Sequence, residues 1–241
     1  MYNEGGLLQV TVCRDGDDTI KNKLLVINAH PKVESTTSFS LQVLSHFLEV
    51  YKEQNPTEPI EQINLYDDQV PAVDATVLSA WEKLAKGIGK GEPLTENEAV
   101  VTGRMTEVLS QFKSANKYVI ALPLHNFNIP SKLKDYMDNI LIAHETFQYT
   151  DAGSVGLLTD GRSVLVIQGS GGVYTNDDWY TEVEYSHKYL KSMFNFMGLE
   201  DYQIIRAQGT AFLNKDDILK HAKEEAARAA TKLSAVTSYL A

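Results

Sequence analysis

The chain has 241 residues, 43% hydrophobic and 22% charged, too apolar for disorder and suited to one large domain or a standard domain with a short extension. Its formal net charge is -10, from 22 Lys and Arg against 32 Asp and Glu, which argues against a general nucleic-acid binder and against docking on anionic membranes. A specific bound anion stays open, because helix N-termini hold phosphate without basic side chains, and no apolar run approaches the roughly 18 residues of a membrane span.

Residues 1–22 stand apart from the rest of the chain. Leu8, Val10 and Val12 alternate with polar residues and Asp15-Gly16 suits a turn, so this extension reads as a small hairpin or an unanchored tail. It lacks the basic and long apolar regions of a secretory signal, so a cytoplasmic protein is the expectation. Cys13 is the single cysteine, which leaves no internal disulfide and no cysteine-based metal cluster.

From Lys23 the chain alternates strand and helix patterns, and residues 23–241 read as one α/β domain. Strands are predicted at Lys23–Asn28, Ile60–Tyr66, Lys117–Leu122, Ser163–Gln168 and Tyr202–Ala207. The first, third and fourth are nearly continuous apolar runs, as parallel strands covered on both faces are. The second mixes polar and apolar residues on each face, which suits an edge. Helical stripes fall at Leu41–Tyr51, Val101–Phe112, Leu133–Leu141, Leu190–Met197 and Ile218–Leu240. The long connection from Asp67 to Asn97 carries one further predicted helix, Asp74–Leu84, and then a glycine-rich loop through Gly87, Gly89, Gly91 and Pro93. Five strands with right-handed crossovers predict a flavodoxin-like doubly wound parallel sheet of order 2-1-3-4-5, with helices on both faces.

Ligands bind such a sheet at the carboxyl ends of its strands, so the loops there are the informative ones. The loop after the first strand has neither GxGxxG nor GxxxxGK[ST]. It has Ser35, Thr36, Thr37, Ser38 and Ser40 at a helix start, where hydroxyls and free N–H groups suit either plain capping or a phosphate. The loop after the third strand is Pro123-Leu-His-Asn-Phe-Asn-Ile-Pro130, in which His125, Asn126 and Phe127 offer an apolar face and polar edges to a planar heterocycle. After the fourth strand comes Gln168-Gly-Ser-Gly-Gly172, whose glycines permit close approach to the backbone or form a flexible turn. It is not G-x-S-x-G, so Ser170 is no nucleophile elbow. His144-Glu145 lacks the second histidine of HExxH, and the histidines at 30, 46, 125, 144, 187 and 221 lack metal-ligand spacing.

In order and spacing, these loops resemble those of the FMN-dependent NADH azoreductases, which are also quinone reductases. The matching segments are Lys23–Pro31, Ser38–Ser40, Pro123–Pro130, Leu133-Lys134, Thr146–Thr150 and Gln168–Gly172. The resemblance starts near Lys23 and leaves residues 1–22 outside it. It implies a flavodoxin-like homodimer with one FMN per subunit, each site built partly at the subunit interface. His30, Ser38, Phe39 and Ser40 would contact FMN, the last three at its phosphate. Leu124, His125, Asn126 and Phe127 would line the isoalloxazine, and Gly169, Ser170, Gly171 and Gly172 its other edge. Tyr149 and Tyr174 would sit near the substrate. Two departures stand out, since the family often has Tyr or Trp where this chain has His125, and Ser where it has Gly169.

The implied activity is ping-pong transfer of hydride from NADH or NADPH, through FMN, to azo compounds and quinones. The cofactor carries the redox chemistry, so no catalytic side chain and no metal is assigned. A quinone reductase with little azo activity and a non-enzymatic electron carrier are the alternatives. A hydrolase would need the missing elbow.

Overall fold

The computed structural model of the protein describes residues 22–86 and 91–235. Its strands are β1 (Leu24–Asn28), β2 (Ile60–Asn64), β3 (Lys117–Pro123), β4 (Phe147–Thr150), β5 (Gly153–Gly156), β6 (Ser163–Gly169) and β7 (Asp201–Ala207). Its helices are α1 (Phe39–Gln54), α2 (Ala75–Ala85), α3 (Glu96–Lys113), α4 (Ser131–Ile140), α5 (Trp179–Glu182), α6 (Tyr185–Met197) and α7 (Lys215–Ser234).

Five strands form one parallel sheet in the order β2-β1-β3-β6-β7, the predicted order once only its own strands are counted. Among the described residues β2 lies at its edge, paired to β1 alone, as its mixed faces predict. The other two strands were not expected. β4 and β5 pair antiparallel as a separate hairpin. Each spans four residues, largely exposed, and so too short and too polar to show a strand period. Gly156 lets that hairpin lie against the end of α6, since an added Cβ would stand 2.3 Å from the Gly198 amide nitrogen.

Successive strand residues point to opposite faces of the sheet. Leu24, Val26, Val119, Ala121, Leu165 and Ile167 join Phe47 of α1 and Ala226 of α7 in one core cluster. Leu25, Ile27, Tyr118, Ile120, Val164 and Val166 join Phe112 of α3, Met137 of α4 and Phe194 of α6 in the other. The predicted stripes are therefore core, although Leu48, Val101, Leu141, Met193 and Ile218 are only half-buried. Val236, Leu240, Gly87, Gly89, Cys13 and the predicted hairpin in the extension lie outside the described residues.

The amino edge of the sheet is closed by buried charge. Lys117, fully buried at the start of β3, donates to Glu58 Oε2 at 2.9 Å and to Tyr51 Oη at 3.1 Å. Arg162 donates to the Lys113 and Ala115 carbonyls at 2.9 Å each and to Tyr118 Oη at 2.8 Å, while its other nitrogens hold Asp160. The long connection is pinned by Glu98, third residue of α3. Its carboxylate accepts from Lys83 Nζ of α2 at 2.8 Å, from Ser79 Oγ at 2.6 Å and from the Thr95 amide at 2.7 Å. The Lys83 ammonium first, then the Ser79 hydroxyl and the Thr95 amide, hold its carboxyl down at about 2.

Two measurements check these contacts. Lys117→Met leaves the Glu58 carboxylate buried without its cation, so urea unfolding should show a loss of about 3 kcal/mol, and adding Glu58→Leu should recover much of it. The depressed carboxyl of Glu98 stabilises the fold fully above its ordinary value of 4.5 and stops doing so as pH falls towards about 2. Glu98→Gln should therefore be less stable than the wild type at pH 7, with a gap that narrows below pH 4.5. A gap that stays constant in acid would rule out that role.

Candidate functional site

Because the sheet is parallel, β1, β3, β6 and β7 all deliver their following loops to one edge. The loop after β1 is shaped by Asn28, nearly buried at the strand end. Its side chain accepts from the His30 amide at 3.0 Å and donates to the Val33 carbonyl at 3.2 Å. His30 Nδ1 lies 3.0 Å from the Lys32 amide nitrogen and 2.9 Å from the Lys32 carbonyl oxygen, accepting from the first in one tautomer and donating to the second in the other. Burial lowers the His30 pKa, opposed by the Lys32 carbonyl, and the nearby His125 lowers it further.

Ser38 caps α1, its Oγ accepting from the Leu41 amide at 3.4 Å and lying 3.1 Å from Ser40 Oγ. The first turn carries no acidic residue. The Phe39 and Ser40 amides, at the first two helical positions, donate to no acceptor among the described residues. Two hydroxyls and two free amides thus meet the positive end of a 16-residue helix.

The loop after β3 makes a two-residue turn. The His125 amide donates to the Asn128 carbonyl at 2.9 Å and the Asn128 amide returns to His125 at 2.8 Å. Asn126 (φ 46) and Phe127 (φ 66) both occupy the left-handed region, as a type I′ turn requires. Asn tolerates this conformation, whereas for Phe it costs about 1 kcal/mol or more. Contacts beyond the loop hold it. The Phe127 carbonyl accepts from the Ser186 amide at 3.1 Å, and its ring meets Trp179 edge-on with centroids 5.4 Å apart. Ser186 Oγ donates to Gln168 at 2.6 Å, and Gln168 donates to Glu184 at 2.9 Å. Arg206 grips Glu184 with two bonds, of 2.7 and 2.8 Å. This buried chain runs from the turn through α6 to β7.

The glycine segment after β6 is no loose turn. The Leu124 amide donates to the Gly169 carbonyl at 2.8 Å, Ser170 donates to Ala207 at 3.1 Å, and Gly209 donates to Gly172 at 2.9 Å. Ser170 Oγ donates to the Gly172 carbonyl at 3.0 Å and is hydrogen-bonded to no histidine among the described residues. A Cβ on Gly169 would stand 3.3 Å from the Ser40 amide nitrogen, so the glycine keeps that amide accessible.

These loops enclose a cleft of about 320 Å³ lined by Ser38, Phe39, Ser40, Pro123, Leu124, His125, Gly169, Ser170, Gly171 and Thr210. Its lining combines hydroxyls and backbone amides with flat or apolar side chains. Eight of the residues singled out from the sequence come together here. Pro123 and Thr210 were not among them. Thr210 follows β7, and the rule that ligands sit at the carboxyl ends of strands would have pointed to its loop.

His30, Asn126, Phe127, Gly172, Tyr149 and Tyr174 do not line this cleft. His30 lies near cleft-lining His125, and Phe127 belongs to the same turn as His125. Tyr174 is buried, edge-on to Tyr180 at 5.7 Å. Tyr149 lies exposed on the β4–β5 hairpin, edge-on to Phe147. Among the described residues, no helix is long and apolar enough to cross a membrane.

Residues 22–233 match the model of a family described as having the flavodoxin-like fold. The chain is 68% identical over 214 residues to FMN-dependent NADH:quinone oxidoreductase 1 of a Bacillus cereus strain, covering 88% of this chain and 99% of that one. It is 43% identical over 189 residues to the enzyme of the same name from Lactiplantibacillus plantarum, covering 78% and 86%. Among solved structures it resembles an FMN-dependent NADH-azoreductase from Bacillus anthracis in complex with FMN, with a TM-score of 0.85, 67% identity and 88% and 99% coverage. A parallel sheet in this order, with its cleft at the carboxyl edge and these relatives, has one reading: the chain belongs to the flavodoxin-like family of FMN-dependent NADH:quinone oxidoreductases and azoreductases.

Proposed function

We propose that this chain is an FMN-dependent oxidoreductase that oxidises NADH or NADPH and reduces quinones and azo compounds in two successive half-reactions. The observation that carries this reading is the fit between the cleft and FMN. A doubly charged phosphate matches the capped start of α1, where Ser38 and Ser40 offer hydroxyls and Phe39 and Ser40 offer free amides. An uncrowded Gly169 and a first turn without carboxylates favour the same charge. Leu124 and His125 offer a flat wall for a ring system, and Gly169, Ser170 and Gly171 a close backbone edge.

When bound, FMN supplies the redox chemistry, accepting hydride from a nicotinamide and passing electrons to the acceptor. The chain's own part is to anchor, orient and polarise. Ser38 and Ser40 fix the phosphate end. The locked turn at His125–Asn128 presents a rigid wall, and His30 lies near it. Asn126, Phe127 and Gly172 would shape the outer edge, and Tyr149 and Tyr174 would act on the acceptor side. NADH is the reductant in the relatives' names and is taken as the donor here.

The rest of the reading follows the same resemblance. We take residues 23–241 as one FMN-binding domain with helices on both sheet faces, a view supported by the two core clusters, and residues 1–22 as an extension. We take the chain as a cytoplasmic homodimer, for which the exposed Val73, Leu78 and Val100 offer apolar surface. A monomer in sedimentation would reject the dimer.

The purified protein should show the visible absorbance of bound flavin and oxidise NADH with a quinone present. A protein that stays colourless with added FMN would remove the proposal, and NADH oxidation with quinones alone would narrow it to a quinone reductase. Ser40→Ala should raise the FMN dissociation constant about tenfold, as loss of a hydrogen bond to a charged group does, with the urea midpoint little changed. Equilibrium dialysis giving an unchanged constant would reject the phosphate assignment. His125→Tyr should shift KM ratios between quinone and azo acceptors more than it shifts FMN affinity; a titration showing the reverse would place His125 at the cofactor instead.

A further inference from the structure

The segment between β6 and α6 carries two large aromatic side chains that stay open to solvent. Trp179 is 57% exposed and Tyr180 45% exposed, side by side with ring centroids 5.3 Å apart. The aromatic pair packs on two residues whose chain neighbours line the cleft. Trp179 meets Phe127 edge-on at 5.4 Å, two residues beyond cleft-lining His125. Tyr180 meets Tyr174 edge-on at 5.7 Å, and the Tyr174 ring lies against Gly172, next to cleft-lining Gly171.

The pair is also held in place. Asp178 caps α5, its Oδ1 accepting from the Tyr180 amide at 2.9 Å and the Thr181 amide at 3.3 Å. Lys188 donates to the Glu182 carbonyl at the other end of the helix. Large aromatic surface kept ordered and open beside a cleft marks a place where another planar group lies.

The charge around the pair is one-sided. Asp177, Asp178 and Glu182 are all on the same segment, and the two aspartates are exposed. The segment itself holds no Lys or Arg; Lys188, on the following α6, donates to the Glu182 carbonyl, and Arg206 of β7 is paired with Glu184. The cleft lining holds neither Lys nor Arg. An anionic acceptor lying against the pair would meet carboxylates of the same sign on the same segment.

We propose that Trp179 and Tyr180 form the acceptor wall of this cleft and that their acidic rim selects planar acceptors that are neutral or cationic over anionic ones. This rests on the oxidoreductase reading above. It names the substrate class of the same site and assigns its selectivity to residues outside the FMN-binding loops.

The test compares a neutral naphthoquinone with its sulfonated analogue on the FMN-loaded protein. The wild type should show a KM several-fold lower for the neutral quinone, and 0.5 M salt should narrow the difference. Asp177→Asn with Glu182→Gln should narrow it too, by lowering KM for the sulfonate and leaving the neutral quinone unchanged. Trp179→Ala should raise the neutral-quinone KM by about 2- to 10-fold, a larger factor than any rise in the FMN dissociation constant, and Trp179→Phe should restore it.

Fluorescence supplies a readout independent of turnover. The chain has 2 tryptophans, so the quenching by neutral quinone that disappears in Trp179→Ala belongs to Trp179. Equal KM values for the two quinones, or unchanged KM and quenching in Trp179→Ala while NADH oxidation continues, would overturn the acceptor wall and leave the oxidoreductase reading standing. Failure of the FMN-loaded wild type to oxidise NADH with any acceptor would overturn both.

Discussion

A parallel sheet gives every strand the same polarity, so all the loops that come after its strands emerge at one edge. In this chain that edge receives a helix start rich in hydroxyls after β1, a proline-flanked turn after β3, a glycine segment after β6 and Thr210 after β7. None of these segments is a site alone. The helix start holds an anion only weakly in open water, and the turn presents a wall only if something stands opposite it. The strand order β2-β1-β3-β6-β7 puts β1, β3, β6 and β7 side by side, and the cleft lies where their loops converge.

The two edges of the sheet divide the work. At the amino edge, charge is buried and paired. Lys117 with Glu58, and Arg162 with Asp160 and the carbonyls at the end of α3, close off the strand starts. Such pairs stabilise little beyond their own desolvation, but breaking one leaves a charge with no partner, so they commit the chain to one arrangement. At the carboxyl edge, the start of α1 keeps two amides without an acceptor among the described residues. The Phe39 and Ser40 amides and the Ser38 and Ser40 hydroxyls face the cleft with no competing carboxylate in the first turn. Stability is concentrated where nothing binds, and unsatisfied donors where something does.

Strain is placed the same way. Phe127 sits in a left-handed conformation that Phe disfavours, yet its carbonyl is held by Ser186 and its ring by Trp179. Ser186 leads through Gln168 and Glu184 to Arg206, so the cost of the turn is carried by a buried polar chain rooted in β6, α6 and β7. That arrangement fixes the position of His125 and places Phe127, Trp179 and Tyr180 beside the cleft, where a flexible loop would let them collapse onto it.

Much of this was legible in the residues. Continuous apolar runs marked β1, β3 and β6 as covered on both faces, the mixed faces of Ile60–Asn64 marked an edge, and Ser38 before an apolar helical stripe marked a capped start, because burial periodicity and capping chemistry are local. The β4–β5 hairpin left no such mark, since its four-residue strands are largely exposed and gain their place from Gly156 against Gly198. Thr210 joins the cleft only because β7 pairs with β6, and Trp179 reaches Phe127 across 52 positions only because α6 docks the turn. Sequence alone thus determined the main-sheet strands, the helix faces and the loops able to meet a ligand, which come from each segment's own pattern. Only tertiary structure decided which side chains share the cleft and which stand open beside it, because those contacts join segments far apart in the chain and depend on how the whole sheet pairs.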